Sequence, residues 1–398
     1  MASVGGGWQI AGVQTSVYVH FPWCARKCPY CDFASYRMAP AAVPHARYAD
    51  AVLRELERRA DAVRGRELAS VFFGGGTPSM WAPAELGRVL HAIRGAFGAA
   101  ERRSDEALEV TVECNPASLD RAGAAALREA GVNRLSIGVQ ALRDERLRFL
   151  GRMHDREGAL AAVRAALETH ERVSVDLMFG TPGQRVDDFA DEIREALDLG
   201  IQHVSAYALT IEPGTVFGDM QRAGTLRIAT DDEYAALFAQ TERAMGARGL
   251  EHYEVSNYAA PGERSRHNEH YWRGGAYLGL GAGAVGCLDA GPGTARRYRN
   301  TADTERYMGA GDLAETEAED EHLDGDALVR EALMLGLRTD AGVDLADVER
   351  RSGRPVPRGR ERAIERRLAQ GDLLLTGDHL RVPRARWLHL DGIIADVF

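Results

Sequence analysis

Short runs rich in β-branched and aromatic residues alternate along this chain with longer stretches whose apolar positions recur every three to four residues. The runs are SVYVHF from Ser16, SVFFGGG from Ser70, LEVTVE from Leu108, RLSIGV from Arg134, VSVDLMFG from Val173 and HVSAYALT from His203. The stretches between them, such as ALREAG and FADEIREALDLG, have helical periodicity. Several end on glycine, which suits the left-handed position that closes a helix. Alternation of this kind predicts parallel strands joined by crossover helices. Six units in succession predict an α/β fold, an incomplete (β/α)6 barrel of the TIM type.

The pattern changes after about Pro213. A helix is predicted around Asp231 to Arg248, followed by the Gly- and aromatic-rich YWRGGAYLGLGAGAVG and the acidic DLAETEAEDEHLDGD, read as a polar linker. From about Ala327 helices precede short strands (GDLLLTGDHLRVP), which predicts a small α+β, winged-helix-like module. The expected division is an N-terminal segment 1–15, a barrel core 16–225, an extension 226–310 and a C-terminal module 311–398.

In folds of this class ligands bind at the C-terminal ends of the strands. The chemically unusual residues fall there. Cys24 follows the first strand, Gly74-Gly75-Gly76-Thr77-Pro78 closes the second, Glu113 the third and Gln140 the fourth, and Asp176 lies within the fifth. Five separate segments are thus expected to meet on one rim.

Composition narrows the chemistry. The formal net charge of -10 argues against a nucleic-acid partner. The locally basic Arg350–Arg367 reads as a solvated helix face. Of five cysteines, Cys24, Cys28 and Cys31 fall within eight residues, a pattern that suits a metal site in a reducing, cytoplasmic compartment better than a disulfide framework. The start of the chain lacks a basic region followed by a long apolar run, and no stretch approaches ~20 uninterrupted apolar residues, so neither a signal peptide nor a membrane span is expected. Peripheral membrane contact is left open.

Cys24-Ala-Arg-Lys-Cys28-Pro-Tyr-Cys31 is the strongest signal. Three thiolates in a tight loop suit three irons of a 4Fe-4S cube, whose fourth iron is then free for a small chelating ligand. The competing reading is a zinc loop completed by Cys114 or a histidine. Otherwise Cys114 and Cys287 read as structural, buried thiols.

The three-cysteine loop resembles that of the radical SAM superfamily. With YVHFPWC, GGGTPS, ECNP, SIGVQ, GRMH, DLMFGTPGQ and YEVSNYA in order, the chain resembles the oxygen-independent coproporphyrinogen III oxidase group, and within it the HemW-type heme chaperones. The resemblance implies a 4Fe-4S cluster on Cys24, Cys28 and Cys31. It also implies S-adenosylmethionine (SAM) held by Tyr18, Gly75, Gly76, Thr77, Glu113, Gln140, Arg152 and Asp176, and reductive cleavage of SAM with an electron from an unidentified donor. Glycine at 75 and 76 would let the backbone approach the methionine amine. A buried Glu113 would accept from the ammonium or ribose hydroxyls, and Arg152 would pair with a carboxylate.

Within this group two features weigh against the oxidase. Phe33 stands where the oxidases carry a further cysteine, and only a short segment precedes Cys24. A third feature, His267-Asn268-Glu269-His270-Tyr271-Trp272, matches the HNxxYW heme motif of the chaperones. Imidazole ligates heme iron and aromatic rings pack on porphyrin faces. His267, Asn268, Tyr271 and Trp272 are therefore candidate heme contacts, with His270 and His252 as alternative ligands. The resemblance implies heme as cargo, apo-hemoproteins such as respiratory enzymes as recipients, and a heme-dependent homodimer.

Overall fold

The structure, a computed structural model, describes residues 13–98 and 108–398; most of the N-terminal segment therefore lies outside the described residues. All six expected strands form: β1 (Gln14–Phe21), β2 (Glu67–Gly75), β3 (Glu109–Cys114), β4 (Arg134–Gln140), β5 (Arg172–Phe179) and β6 (His203–Ala208). They run parallel in chain order. Helices His45–Arg58, Pro83–Ala96, Arg121–Glu129, Arg156–Leu167 and Val186–Asp198 cross between them. Their starts are locally encoded: Asp120 and Asp155 accept from the backbone N–H groups of Gly123 and Gly158, and Thr230 and Glu233 form a capping box ahead of helix Asp231–Gly246.

The sheet extends further than the six units. Hairpin β7 (Glu251–Glu254) and β8 (Asn257–Ala259) continues it beyond β6, and β9 (Ala276–Leu280) adds a parallel strand beside β1. Antiparallel strands β10 (Val285–Gly291), β11 (Thr294–Asn300) and β12 (Glu317–Leu323) follow. The order is β12-β11-β10-β9-β1-β2-β3-β4-β5-β6-β8-β7. Two segments thus differ from expectation. The Gly-rich stretch forms β9 and opens β10 at Val285 and Gly286, because glycine permits close approach: a Cβ on Gly279 would lie 2.1 Å from the Val285 carbonyl oxygen. Part of the acidic linker is β12, its carboxylates standing against Arg296, Arg297 and Arg299 of β11.

Strand alternation divides the sheet into two chemically distinct faces. Val17, Val19, Phe21, Val71, Phe73, Val110, Val112, Leu135, Ile137, Val173, Val175 and Leu177 point to the crossover helices and are buried in one core. Complete burial of such side chains contributes roughly 1.5–3 kcal/mol each. The alternate residues face inward and are polar: Ser16, Tyr18 and His20; Glu109, Thr111 and Glu113; Arg134 and Ser136; Ser174 and Asp176; His203 and Ser205. Where a closed barrel of this type fills its interior with branched apolar side chains, this one lines a chamber.

The C-terminal module has its own core of Val329, Leu333, Leu337, Val343, Ile364, Leu380, Trp387 and Ile393. Helices surround a small sheet of Val343–Asp344, His379–Arg381 and Leu374–Thr376, matching the expected α+β module. The basic helix faces are solvated and locally paired, Arg350 with Asp347 and Arg366 with Asp396. Phe238 is the side chain packed against both this core and that of the barrel among the described residues. Among those residues no helix is long and apolar enough to cross a membrane.

Candidate functional site

The cysteine loop hangs from the tip of β1 on an aromatic anchor. Trp23 packs edge-on against Phe21 at 5.3 Å and Tyr48 at 4.8 Å, and Trp81 closes over Tyr48 at 5.4 Å. The Tyr48 hydroxyl donates to the His20 carbonyl at 2.6 Å. Two short segments, Trp23–Cys24 and Tyr36–Arg37, pair and close the loop, with the Met38 N–H donating to the Cys24 carbonyl at 2.9 Å. Lys27 reaches across to the carbonyls of Phe33 and Ser35. Cys24, Cys28 and Cys31 are half-buried free thiols. Burial pushes the Cys24 and Cys31 thiols up from their ordinary range, so their deprotonation calls for a cation. A thiol-rich loop with cationic Arg152 beside it, Nη1 3.5 Å from Cys28 Sγ, fits an iron–sulfur cluster. Cys114 sits on the apolar face of β3, its thiol donating to the Val112 carbonyl, and so faces away from the loop.

The turn after β2 lies directly against this loop. The Gly76 and Thr77 N–H groups donate to the carbonyls of Phe21 and Trp23 at 2.7 and 2.8 Å. Gly75 has φ +107°, and a Cβ there would meet the His20 ring at 2.4 Å, while one on Gly76 would meet the Trp23 carbonyl at 2.6 Å. Only bare backbone fits. The Gly75 N–H donates to Glu113 Oε2 at 3.1 Å. Glu113 and Asp176 both face the chamber. Loss of water pushes the Glu113 carboxyl up to about 8, reinforced by Asp176, and the Asp176 carboxyl up to about 6, against the pull of Ser205 and Arg134. Two carboxylates short of cationic partners suit the ammonium and sulfonium of SAM.

Gln140 ends β4 in the left-handed region at φ 69°, the sole non-glycine residue with positive φ among the described residues, a strain typical of a functional rim. Beside it Arg152 donates to the Gly138 carbonyl at 2.7 Å, and its Nε is buried without a partner. Arg152, Thr77 and Cys28 border a second cavity of about 290 Å³ on the far side of the loop. The cluster loop therefore stands between two cavities.

The larger chamber, about 820 Å³, is lined by Tyr18, Glu113 and Asp176 and equally by His267, Asn268 and Tyr271. Helix Arg266–Trp272 closes the barrel floor, with Ser265 as its cap and Glu109 accepting from the His267 N–H at 2.9 Å. The His267 ring stacks on Phe72 at 4.9 Å, and its Nδ1 is bonded to Ser70 Oγ at 2.9 Å. That leaves Nε2 as the free nitrogen. Burial holds this imidazole down at about 3, so the ring is neutral at any physiological pH. The alternatives fare worse. His270 Nε2 is bonded to the Ala276 carbonyl and borders a separate cavity; His252 stacks on Tyr258 and meets Trp387 edge-on, away from the chamber lining. Trp272 packs on Tyr253 rather than lining the chamber. Cys287, expected to be structural, is a half-buried chamber residue.

Sequence reasoning missed His20, Arg134, Ser205, Tyr207, Tyr277 and Arg297, all chamber residues. The signal was present. At every second position, runs such as HVSAYA and RLSIGV place a polar residue where a packed barrel would have an apolar one.

Comparisons with known proteins fit this geometry. Residues 18–196 match the Radical SAM superfamily model and residues 323–389 the HemN C-terminal domain. The chain resembles a solved Escherichia coli structure described as "Coproporphyrinogen III oxidase (HemN)", a radical SAM enzyme, with TM-score 0.78, 20% identity, and 97% and 90% of the two chains covered. That likeness is one of fold. Nearer in sequence are the "Heme chaperone HemW" of Escherichia coli, 36% identical over 74% of this chain and 75% of that protein, and of Bacillus subtilis, 34% identical over 86% and 88%. The bovine "Radical S-adenosyl methionine domain-containing protein 1, mitochondrial" is 38% identical over 83% and 74%. Sharing a third of its residues with these chaperones over most of its length, the chain belongs to the HemW family of the radical SAM superfamily.

Proposed function

We propose that this chain is a heme chaperone that holds a 4Fe-4S cluster on Cys24, Cys28 and Cys31, binds SAM beside it, and delivers heme to apo-hemoproteins such as respiratory enzymes. The observation that carries the reading is the position of His267: a neutral imidazole with one nitrogen anchored by Ser70 and the other free, on the wall of a chamber that also holds the SAM-facing carboxylates. When bound, the cluster supplies an electron for SAM cleavage. The protein's own part is to orient and to shield. Glu113 and Asp176 attract the cationic end of SAM, the Gly75–Gly76 turn admits its methionine portion, and Arg152 offers an orphaned Nε near Cys28. Exposed Phe33 and Tyr207 flank the chamber as apolar surface for a flat macrocycle.

Phe33 at the position of the oxidases' additional cysteine, together with relatives named as chaperones, favours delivery over porphyrin oxidation. An electron donor and a heme-dependent homodimer belong to the same proposal. The test is an anaerobic reconstitution of the full chain with iron and sulfide, titration with hemin, and transfer to an apo-hemoprotein. One heme per chain, passed on to the recipient, is expected; Cys28→Ser should lose the iron and sulfide. SAM-dependent formation of protoporphyrinogen from coproporphyrinogen III would overturn the reading in favour of the oxidase.

A further inference from the structure

The charged groups of the chamber are sorted by position. Glu113 and Asp176 stand at the β3 and β5 end beside the cysteine loop, while Arg297 and Arg299 come from β11, in the sheet extension. Register puts Arg297 on the chamber face, since it pairs with Cys287, which pairs with Tyr277, which pairs with Ser16. The other chamber arginines are engaged differently. Arg134 donates to Ser174, Arg351 to Asp347 and the Gly274 carbonyl, and Arg299 is a half-exposed partner of Glu319.

Arg297 is less completely satisfied. Its Nη2 is bonded to Glu331, its Nη1 lies 3.4 Å from Glu321, and its Nε is buried with no partner. Nε and Nη2 form the side of a guanidinium that takes a carboxylate in bidentate fashion. Glu331 uses only half of that fork. It sits on helix Gly325–Gly336 of the C-terminal module, which itself forms chamber wall through Leu328, Met334 and Leu335. An incomplete ion pair thus ties the barrel extension to the module across the chamber, beside the Arg351 bond to the Gly274 carbonyl.

We propose that Arg297 recognises a carboxylate of the chamber's cargo and that Glu331 occupies its place in the free protein. This rests on the heme reading above, heme being a flat ligand with two propionates. With the iron at His267, a propionate directed to Arg297 fixes which edge of the macrocycle enters first. A cargo carboxylate that fills both Nε and Nη2 displaces Glu331, a single-point partner, so loading loosens the tie between module and barrel.

The test compares hemin with hemin dimethyl ester, whose propionates are masked, by absorbance titration of the full-length protein and of two variants. The wild-type chain is expected to prefer hemin by about 10- to 100-fold. Arg297→Ala should bind both porphyrins at the level of the ester. Glu331→Gln should bind hemin about 3- to 10-fold more tightly, because it removes the competitor. A merely structural ion pair would weaken both porphyrins equally in both variants, and that result overturns the assignment. Equal wild-type affinity for hemin and ester overturns it too while leaving heme binding intact. Binding of neither porphyrin overturns the chaperone reading and this assignment together.

Discussion

Replacing Glu113 by Gln separates the cost of an acidic chamber from its use. In the free protein burial raises the Glu113 carboxyl to about 8 from an ordinary 4.5. With the folded value above the unfolded one, the group's contribution to stability is complete below about pH 4.5 and is lost as pH rises through 8. At pH 7 the full shift would correspond to about 3 kcal/mol. Glu113 opens onto a chamber that admits water, which screens the charge and brings the expected penalty nearer about 1–2 kcal/mol. Gln keeps an acceptor for the Gly75 N–H and removes the titration. Urea unfolding of the SAM-free, cluster-free chain between pH 5 and 8.5 should therefore show Glu113→Gln gaining stability over wild type with rising pH, with the difference vanishing toward pH 5. SAM affinity of the reconstituted variant should fall by about 10-fold or more, as one charged hydrogen bond is lost. Parallel stability profiles across this range, or unchanged SAM affinity, would refute the argument that an ionisable group is kept under-paired here for a cationic ligand.

Three other outcomes follow from the same geometry. Gly75→Ala would both strain φ +107° and drive a Cβ into the His20 ring; a loss of about 2–4 kcal/mol in urea unfolding, with failure to bind SAM, is expected. His267→Ala should weaken hemin binding by about 10- to 100-fold in an absorbance titration and leave iron and sulfide content unchanged, since the ring touches Phe72 and Ser70 but not the cysteine loop. Cys114→Ala should retain full iron and sulfide content while losing about 1–2 kcal/mol of stability, because the thiol lies in the apolar core behind β3; loss of the metal in this variant would revive the zinc-loop alternative.

Strand periodicity made the six-unit barrel legible, since most of the β-branched runs have glycine close by or lead to a helix with its own cap. It failed where local signals were weak. β9 and β10 are written in glycine, which disfavours strands unless a neighbouring backbone must come close, as Val285 does at Gly279. β12 is written in carboxylates, which read as linker until the arginines of β11 stand opposite. The loop, the glycine turn and the rim acids were readable because unusual residues fell at strand ends. That His267 would share a chamber with Glu113 and Asp176 was not readable. The chain between Glu113 and His267 runs through five strands, β4 to β8, and their connections, and only the completed sheet brings the floor helix beneath the rim.

Phe238, the side chain packed on both hydrophobic cores, has a thermodynamic consequence. The rest of the seam mixes Val255 on the module's core and His252 edge-on to Trp387 with ion pairs, Arg338 on Glu254 and Arg264 on Asp340, a small contact of the kind that lets two bodies part before either unfolds. Heating should detach the smaller body first, so a calorimetric trace ought to resolve two endotherms rather than one cooperative peak. A molecule that touches both walls of the chamber would move the lower endotherm upward and leave the higher one nearly in place.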